Sequence, residues 1–116
     1  MDDRLNDLIE ELREFVRERD WGQFHDPKNL AISVTLEASE LLEHFQWKTG
    51  AEVDKHVRDN KGEIADEIAD VAVYLFELSD NLGIDLLETM SRKIDKNAKK
   101  YPVAKAKGRA VKYTKL

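Results

Sequence analysis

The chain has 116 residues, of which 41% are hydrophobic and 37% charged, with a formal net charge of −5. That suits one domain, burying roughly two thirds of its unfolded surface. The absence of cysteine excludes disulfides, zinc ribbons and thiol catalysis. Five glycines, two prolines and no alternating apolar run exclude collagen-like, disordered, sandwich and barrel chains.

Four helical segments follow in chain order. The first is expected from about Asp2 to Arg19, with Leu5, Leu8, Ile9, Leu12, Phe15 and Val16 at helical spacing and Asp2 and Asp3 at its positive end. A polar loop from Trp21 to Asn29 follows, in which Asp26 is placed to cap and Pro27 to open the next helix. The second helix is expected over about 28–47, ended by Thr49-Gly50. A short piece at 51–59 leads through Asn60-Lys61-Gly62 to a third helix at about 63–82, stopped by Asn81 and Gly83. Asp85 is placed to cap a fourth helix, about 86–100, that must stop near Pro102. The expected fold is all-α, a four-helix bundle with antiparallel neighbours. Residues 1–101 form its helical domain, and the basic tail 102–116 contributes to the same domain.

Charge is unevenly spread. Residues 91–116 hold 10 of the 19 basic residues and one acid, Asp95, while the first 90 residues set nine basic residues against 23 acids. An acidic body with a basic tail is a poor match to a binder of nucleic-acid polymer. The tail either serves as a solvated segment or helps to hold a ligand that carries both metal and phosphate. No apolar stretch is long enough for a membrane, and Met-Asp-Asp-Arg opens no signal-type segment, so a cytoplasmic protein without a membrane partner is expected.

Two acid pairs stand out. Leu30, Val34, Leu41 and Phe45 mark one stripe of the second helix, and Glu37 occupies a slot in it that would ordinarily take a leucine, with Glu40 one turn on. On the third helix Ile64, Ile68, Val71, Leu75, Leu78 and Leu82 form an apolar seam, flanked by a line of Glu63, Glu67, Asp70 and Tyr74. Antiparallel packing would bring Glu37/Glu40 towards Glu67/Asp70. Carboxylates facing a core need a cation. An oxygen-only donor set favours a hard ion such as Mg²⁺, with Mn²⁺ and Ca²⁺ as alternatives. The ordinary reading, in a chain with 24 acids, is a solvated acid pair.

Other chemistries find little support. No glycine-rich phosphate loop exists, and no Ser/His/Asp framework can be drawn. His25, His44 and His56 are scattered and read as surface or cap residues. Trp21 and Trp47 lie outside the apolar periodicity, either as lids over the core or as platforms on which a nucleobase stacks.

Glu37-Ala-Ser-Glu40, followed 27 residues later by Glu67-Ile-Ala-Asp70, resembles the E-x-x-E…E-x-x-D signature of the MazG-like all-α nucleoside triphosphate pyrophosphohydrolases. The stretch from Glu18 to Asn29, Phe45-Gln-Trp-Lys48, Lys93 to Asn97, Lys100-Tyr-Pro102 and Lys112-Tyr-Thr114 resemble their dCTP pyrophosphatase branch. The resemblance implies hydrolysis of a (d)NTP, dCTP or a modified or non-standard dNTP, to monophosphate and pyrophosphate. By position it implies that Glu37, Glu40, Glu67 and Asp70 are the Mg²⁺ ligands and catalytic acids. Trp21 and Trp47 then enclose the base, and Tyr74 lines the same pocket. Lys93 and Asn97 face the phosphates, with Tyr101, Lys112 and Tyr113 in the tail block. Leu12 stands where mammalian members of the branch have a histidine near the base, which implies wider base tolerance. Self-association as a dimer or tetramer is expected from the apolar surface of the helices and from the resemblance. The alternative is a non-enzymatic helical oligomer or partner-binding module that retains the fold.

Overall fold

Helix α1, Asp3–Glu18, forms because its apolar residues recur every three or four positions and no glycine or proline interrupts them. The computed structural model describes residues 3–116, so Asp2 lies outside the described residues. Asp20 then adopts a left-handed backbone with φ 52°, a conformation that aspartate tolerates better than most residues. It turns the chain into a single 3₁₀ turn at Trp21–Gln23, held by Gln23 Nε2 donating to the Asp20 carbonyl over 3.0 Å.

Helix α2, Pro27–Glu43, starts as expected. Pro27 sits in the first turn, and the Asp26 carboxylate accepts from the Asn29 backbone N–H at 2.8 Å. Its end is earlier than residue 47. Past Glu43 the chain tightens into turns, with Phe45 N–H donating to the Leu42 carbonyl at 2.9 Å. Thr49 does not close α2; it opens α3. Its hydroxyl donates to Glu52 Oε1 at 2.8 Å, and the same oxygen accepts from the Thr49 N–H at 3.4 Å.

Helix α3, Gly50–Asn81, consists of two helical pieces joined at Asn60, where the sequence placed the break. Asn60 alone leaves helical dihedrals, at φ −128° and ψ 27°, so the expected break is a kink. The Asn60 side chain holds the bend by donating to the His56 carbonyl at 3.1 Å, and Gly62 stays helical. Gly83, at φ 67°, ends the run in the conformation that glycine adopts without strain.

The chain divides into two compact units, Met1–Gly83 and Ile84–Leu116, a division that falls inside the expected 1–101 segment. In the first, α2 packs chiefly on α3, while α1 touches the 3₁₀ turn and α3. The pairing is antiparallel. His44 at the end of α2 meets His56 early in α3, and Asn81 at the end of α3 donates to the carbonyl of His25, just before α2. Leu30 and Ile64 are the buried hydrophobic centre. The expected α3 seam is only half covered: Ile64 is buried and Val71 and Leu78 half-buried, whereas Ile68, Leu75 and Leu82 are exposed. These last three recur every seven residues, so one line of the seam faces away from α2.

The second unit holds α4, Leu86–Lys100, capped by Asp85 accepting from the Glu88 N–H at 3.1 Å. The tail, which shows no period in sequence, contains the one-turn helix α5, Val103–Ala106, and a 3₁₀ turn at Tyr113–Lys115. Among the described residues no helix is long and apolar enough to cross a membrane.

Candidate active site

Antiparallel pairing of α2 and α3 sets residue 37 across from residues 67 and 70. Glu37, Glu67 and Asp70 each bring a carboxylate oxygen within 4.8 Å of the other two. Glu37 and Glu67 are half-buried and Asp70 is exposed, so the trio stands at the edge of the helix interface. Glu37 Oε2 and Glu67 Oε2 are both buried without a hydrogen-bond partner. Glu40 is exposed, one turn along α2, and shares with Glu67, Glu43, His44 and His56 a cavity of about 390 Å³.

The electrostatics record this crowding. Burial first, then the closeness of Glu40 and the charges of Glu40 and Asp70, push the Glu37 carboxyl up to about 7. Burial and the charge of Glu40 likewise raise Glu67, while the nearby Glu37 pulls it back. Leaving such groups unpaired is costly. The oxygen-only donors, the short mutual distances and the two unpartnered buried oxygens fit a hard divalent cation, Mg²⁺ being the usual choice beside phosphates.

Tyr74 lies one turn beyond Asp70 on the same side of α3. Its phenol is raised by burial and by the negative charges of Glu37, Glu77 and Asp70. Trp21 is partly exposed and packs edge-on to Phe15, with ring centroids 5.5 Å apart, and lies 5.9 Å from the His25 ring. Trp47 is 86% exposed, which rules out a core lid at that position within one copy of the chain. The two tryptophans flank opposite ends of α2, which at 17 residues is about 25 Å long. One copy of the chain therefore does not bring them together.

The remaining sequence candidates lie in the second unit. Lys93 and Asn97 are exposed on α4, and Asn97 accepts from the Tyr101 N–H through its carbonyl at 2.8 Å. Tyr101 and Tyr113 meet edge to face at 6.0 Å, Lys100 lies 4.9 Å over the Tyr113 ring, and Lys112 precedes the final turn.

Two histidine pairs were not legible beforehand. His44 Nδ1 and His56 Nε2 are 2.8 Å apart, and both rings are half-buried. Burial, then the charges of Lys48 and His44, lower His56. His25 Nδ1 stands 2.9 Å from Glu77 Oε2, an ion-pair distance, although neither atom has a partner in hydrogen-bonding geometry. Only His44 keeps an expected role, as the C-cap of α2. Glu77 did leave a trace in sequence, since it extends the Glu67, Asp70, Tyr74 line by one more turn.

The same architecture occurs in the crystal structure of a pyrophosphatase from Archaeoglobus fulgidus DSM 4304. It matches with a TM-score of 0.82 and 44% identity, over 85% of this chain and 93% of that one. The fold is therefore the all-α bundle of the nucleoside triphosphate pyrophosphatase type. Residues 32–116 match the model of the MazG-like family. The chain is 40% identical over 114 residues to dCTP pyrophosphatase 1 of Rattus norvegicus and 37% identical to that of Homo sapiens. Each match takes in 97% of this chain and 67% of the relative. The chain belongs to the MazG-like family, in its dCTP pyrophosphatase branch.

Proposed function

We propose that the chain is a Mg²⁺-dependent nucleoside triphosphate pyrophosphohydrolase, cleaving a (d)NTP, dCTP or a modified or non-standard dNTP, with water to the monophosphate and pyrophosphate. The observation that carries this reading is the trio Glu37, Glu67 and Asp70, with two buried oxygens unpartnered, in a chain whose relatives are pyrophosphatases. Those three acids, with Glu40 beside them, would hold Mg²⁺, or Mn²⁺ in its place. The bound ion supplies charge neutralisation and Lewis-acid polarisation at a phosphoryl oxygen. Tyr74 offers a flat wall next to the acids for the sugar. Trp21 and Trp47 offer faces for the base.

The chain also associates with copies of itself in this reading. Ile68, Leu75 and Leu82 on α3, with Ile32 and Leu36 on α2, are 40–59% exposed. Such apolar lines are covered at low cost by another copy. Association also answers the separation of the tryptophans, since Trp47 can reach a base held near Trp21 only from a second copy. Light scattering is expected to give a dimer or tetramer. Pyrophosphate release from a panel of dNTPs, NTPs and modified nucleotides, with and without Mg²⁺, tests the activity. Turnover of none of them would leave the non-enzymatic reading.

A further inference from the structure

Helix α3 carries its polar side chains like marks on a ruler. Glu67, Asp70, Tyr74 and Glu77 recur at three- and four-residue steps, which puts them on one side of the helix. From Asp70 to Glu77 is two turns, about 10 Å along the axis, close to the reach from the α-phosphate of a nucleotide to the far edge of its base. Tyr74 stands between the two ends. Glu37 and Asp70 on one side and Glu77 on the other all act on its phenol.

At the far end, Glu77 lines a cavity of about 380 Å³ with Leu12, His25, Leu30, Phe76 and Asn81. The Glu77 side chain is 10% exposed, and its Oε2 has no hydrogen-bond partner. Asn81 Nδ2 donates to the His25 carbonyl at 3.2 Å and so fixes the segment that carries the imidazole. His25 Nδ1 stands 2.9 Å from Glu77 Oε2, an ion-pair distance. Trp21 stands beside His25, so an aromatic face borders this end. A buried ion pair is a poor source of stability, since apolar side chains of the same size pack at less cost. Here a nearly buried carboxylate whose one close contact is His25 lines the wall of a cavity with room for a nucleobase.

Resting on the pyrophosphohydrolase reading, we propose that Glu77 selects the base. Its carboxyl accepts a hydrogen bond from an exocyclic amine, so the site takes nucleotides whose base carries the amine at C4 or C6, cytosine and adenine, over uracil and thymine. The latter turn a carbonyl oxygen to the same place, and two acceptors then face each other with no proton between them. Burial pushes the Glu77 carboxyl above its ordinary range, His25 pulling it back, and a donated N–H is what such a group lacks. Leu12, in the same cavity, adds no polar contact, and the charged residues on its wall are engaged elsewhere, Arg13 with Asp80, Arg17 with Glu14 and Asp20 with Gln23.

The test compares dCTP with dUTP, which differ at this edge in amine against carbonyl at C4 and in a bare nitrogen against an N–H at N3. The wild-type chain is expected to favour dCTP in kcat/KM by about tenfold or more. Glu77→Gln presents both a donor and an acceptor, and should bring the ratio to within about threefold of unity. Glu77→Met removes the buried charge, guards against a misfolded Gln variant, and should also erase the preference. The rise in thermal midpoint on adding Mg²⁺ should stay as in wild type for both variants, separating base selection from the acid trio. Turnover of both nucleotides with no preference, or a preference unchanged in both variants, overturns this inference alone. Turnover of neither by the wild-type chain overturns the pyrophosphohydrolase reading as well.

Discussion

Two stretches of α3 treat a carboxylate in opposite ways. Asp80, near its end, is gripped by Arg13 from α1, with Nε at 2.9 Å and Nη2 at 2.5 Å, and that guanidinium holds the Asp80 carboxyl below its ordinary range. Three turns earlier Glu67 and its neighbour Glu37 have buried oxygens with no partner, and burial drives both carboxyls upward. The fold can therefore supply a cation to an acid on this helix where position requires it. The uncompensated middle of α3 supports the proposed reading, in which the balancing charge comes from outside the chain. Glu77, with an incomplete partner in His25, falls between the two cases.

The strongest way to break this contrast is to neutralise the middle. Asp70→Asn and Glu37→Gln should each lower hydrolysis by more than about a hundredfold, beyond what losing a supporting residue usually costs. Without metal, both variants should melt at a higher temperature than wild type, because crowding among the carboxyls is relieved. The gain in midpoint on adding Mg²⁺ should disappear. A variant that keeps both its activity and its Mg²⁺-dependent gain removes that residue from the metal site.

Trp47 sharpens the contrast from the substrate's side. A stacked base is worth about 1–3 kcal/mol, so Trp47→Ala should weaken nucleotide binding about 5- to 150-fold. At 86% exposure the residue contributes little to the core, and the variant should fold as wild type. Fluorescence titration with Ca²⁺ in place of Mg²⁺, to prevent turnover, measures the affinity. Wild-type affinity in the variant would deny Trp47 any contact with the base.

The acid pairs were legible because a charge inside an apolar stripe has few inexpensive explanations. Glu37 between Val34 and Leu41, with Glu67 and Asp70 on the facing helix, allowed convergence to be anticipated from spacing alone, and the antiparallel packing brings three of those carboxyls together. The role of Thr49 was misread, as the stop of α2, although the signal for a helix start was present. Thr49 and Glu52 form the capping box of a helix that begins, but Gly50 beside Thr49 also resembles the stop of a helix that ends. Periodicity gave the seam but not its cover. Ile68, Leu75 and Leu82 share the helical repeat of Ile64 and Val71, yet nothing local states which side α2 will take. The histidine pairs left no local signal, since His44 finds its partner 12 residues away and His25 finds Glu77 across two helices.

Acidity gives the contrast a measurable sign. The Glu37 carboxyl has a value of about 7 in the fold against an ordinary 4.5. Between those values the folded chain keeps a proton that the unfolded chain has lost, so metal-free stability falls as pH rises through that window. Asp80 acts oppositely. Its folded value lies below the ordinary one, so its contribution is present above the ordinary carboxylate range and is lost as pH falls through the folded value. The metal-free midpoint should therefore peak near pH 5 and drop by about 5 °C towards pH 7.5. Calorimetry with chelator across pH 3–8 locates the peak, and a midpoint that climbs steadily to pH 7.5 would show that the acid trio is already neutralised by the chain itself.

The smallest effect is expected where compensation is complete. Arg13 also pairs with Glu10 on its own helix, and both Arg13 and Asp80 are exposed enough for water to screen them, at 46% and 36% of their side-chain surface. Screened pairs contribute little even in good geometry. The bidentate grip on Asp80 nevertheless joins α1 to α3, whose mutual packing is slight, so some loss should register. Arg13→Ala should lower the midpoint by no more than about 5 °C at pH 7. Because the pair needs an ionised Asp80, the difference from wild type should vanish once pH falls below the folded value of that carboxyl. Asp80→Asn should melt close to Arg13→Ala, and the double variant close to either single one, since each removes the same pair. A larger loss at pH 7 that persists in acid would mean that the aliphatic stem of Arg13 matters more than its charge, through packing beside Ile9 and Val16 along the same cavity. Charge compensation at this end of α3 would then be a by-product of packing.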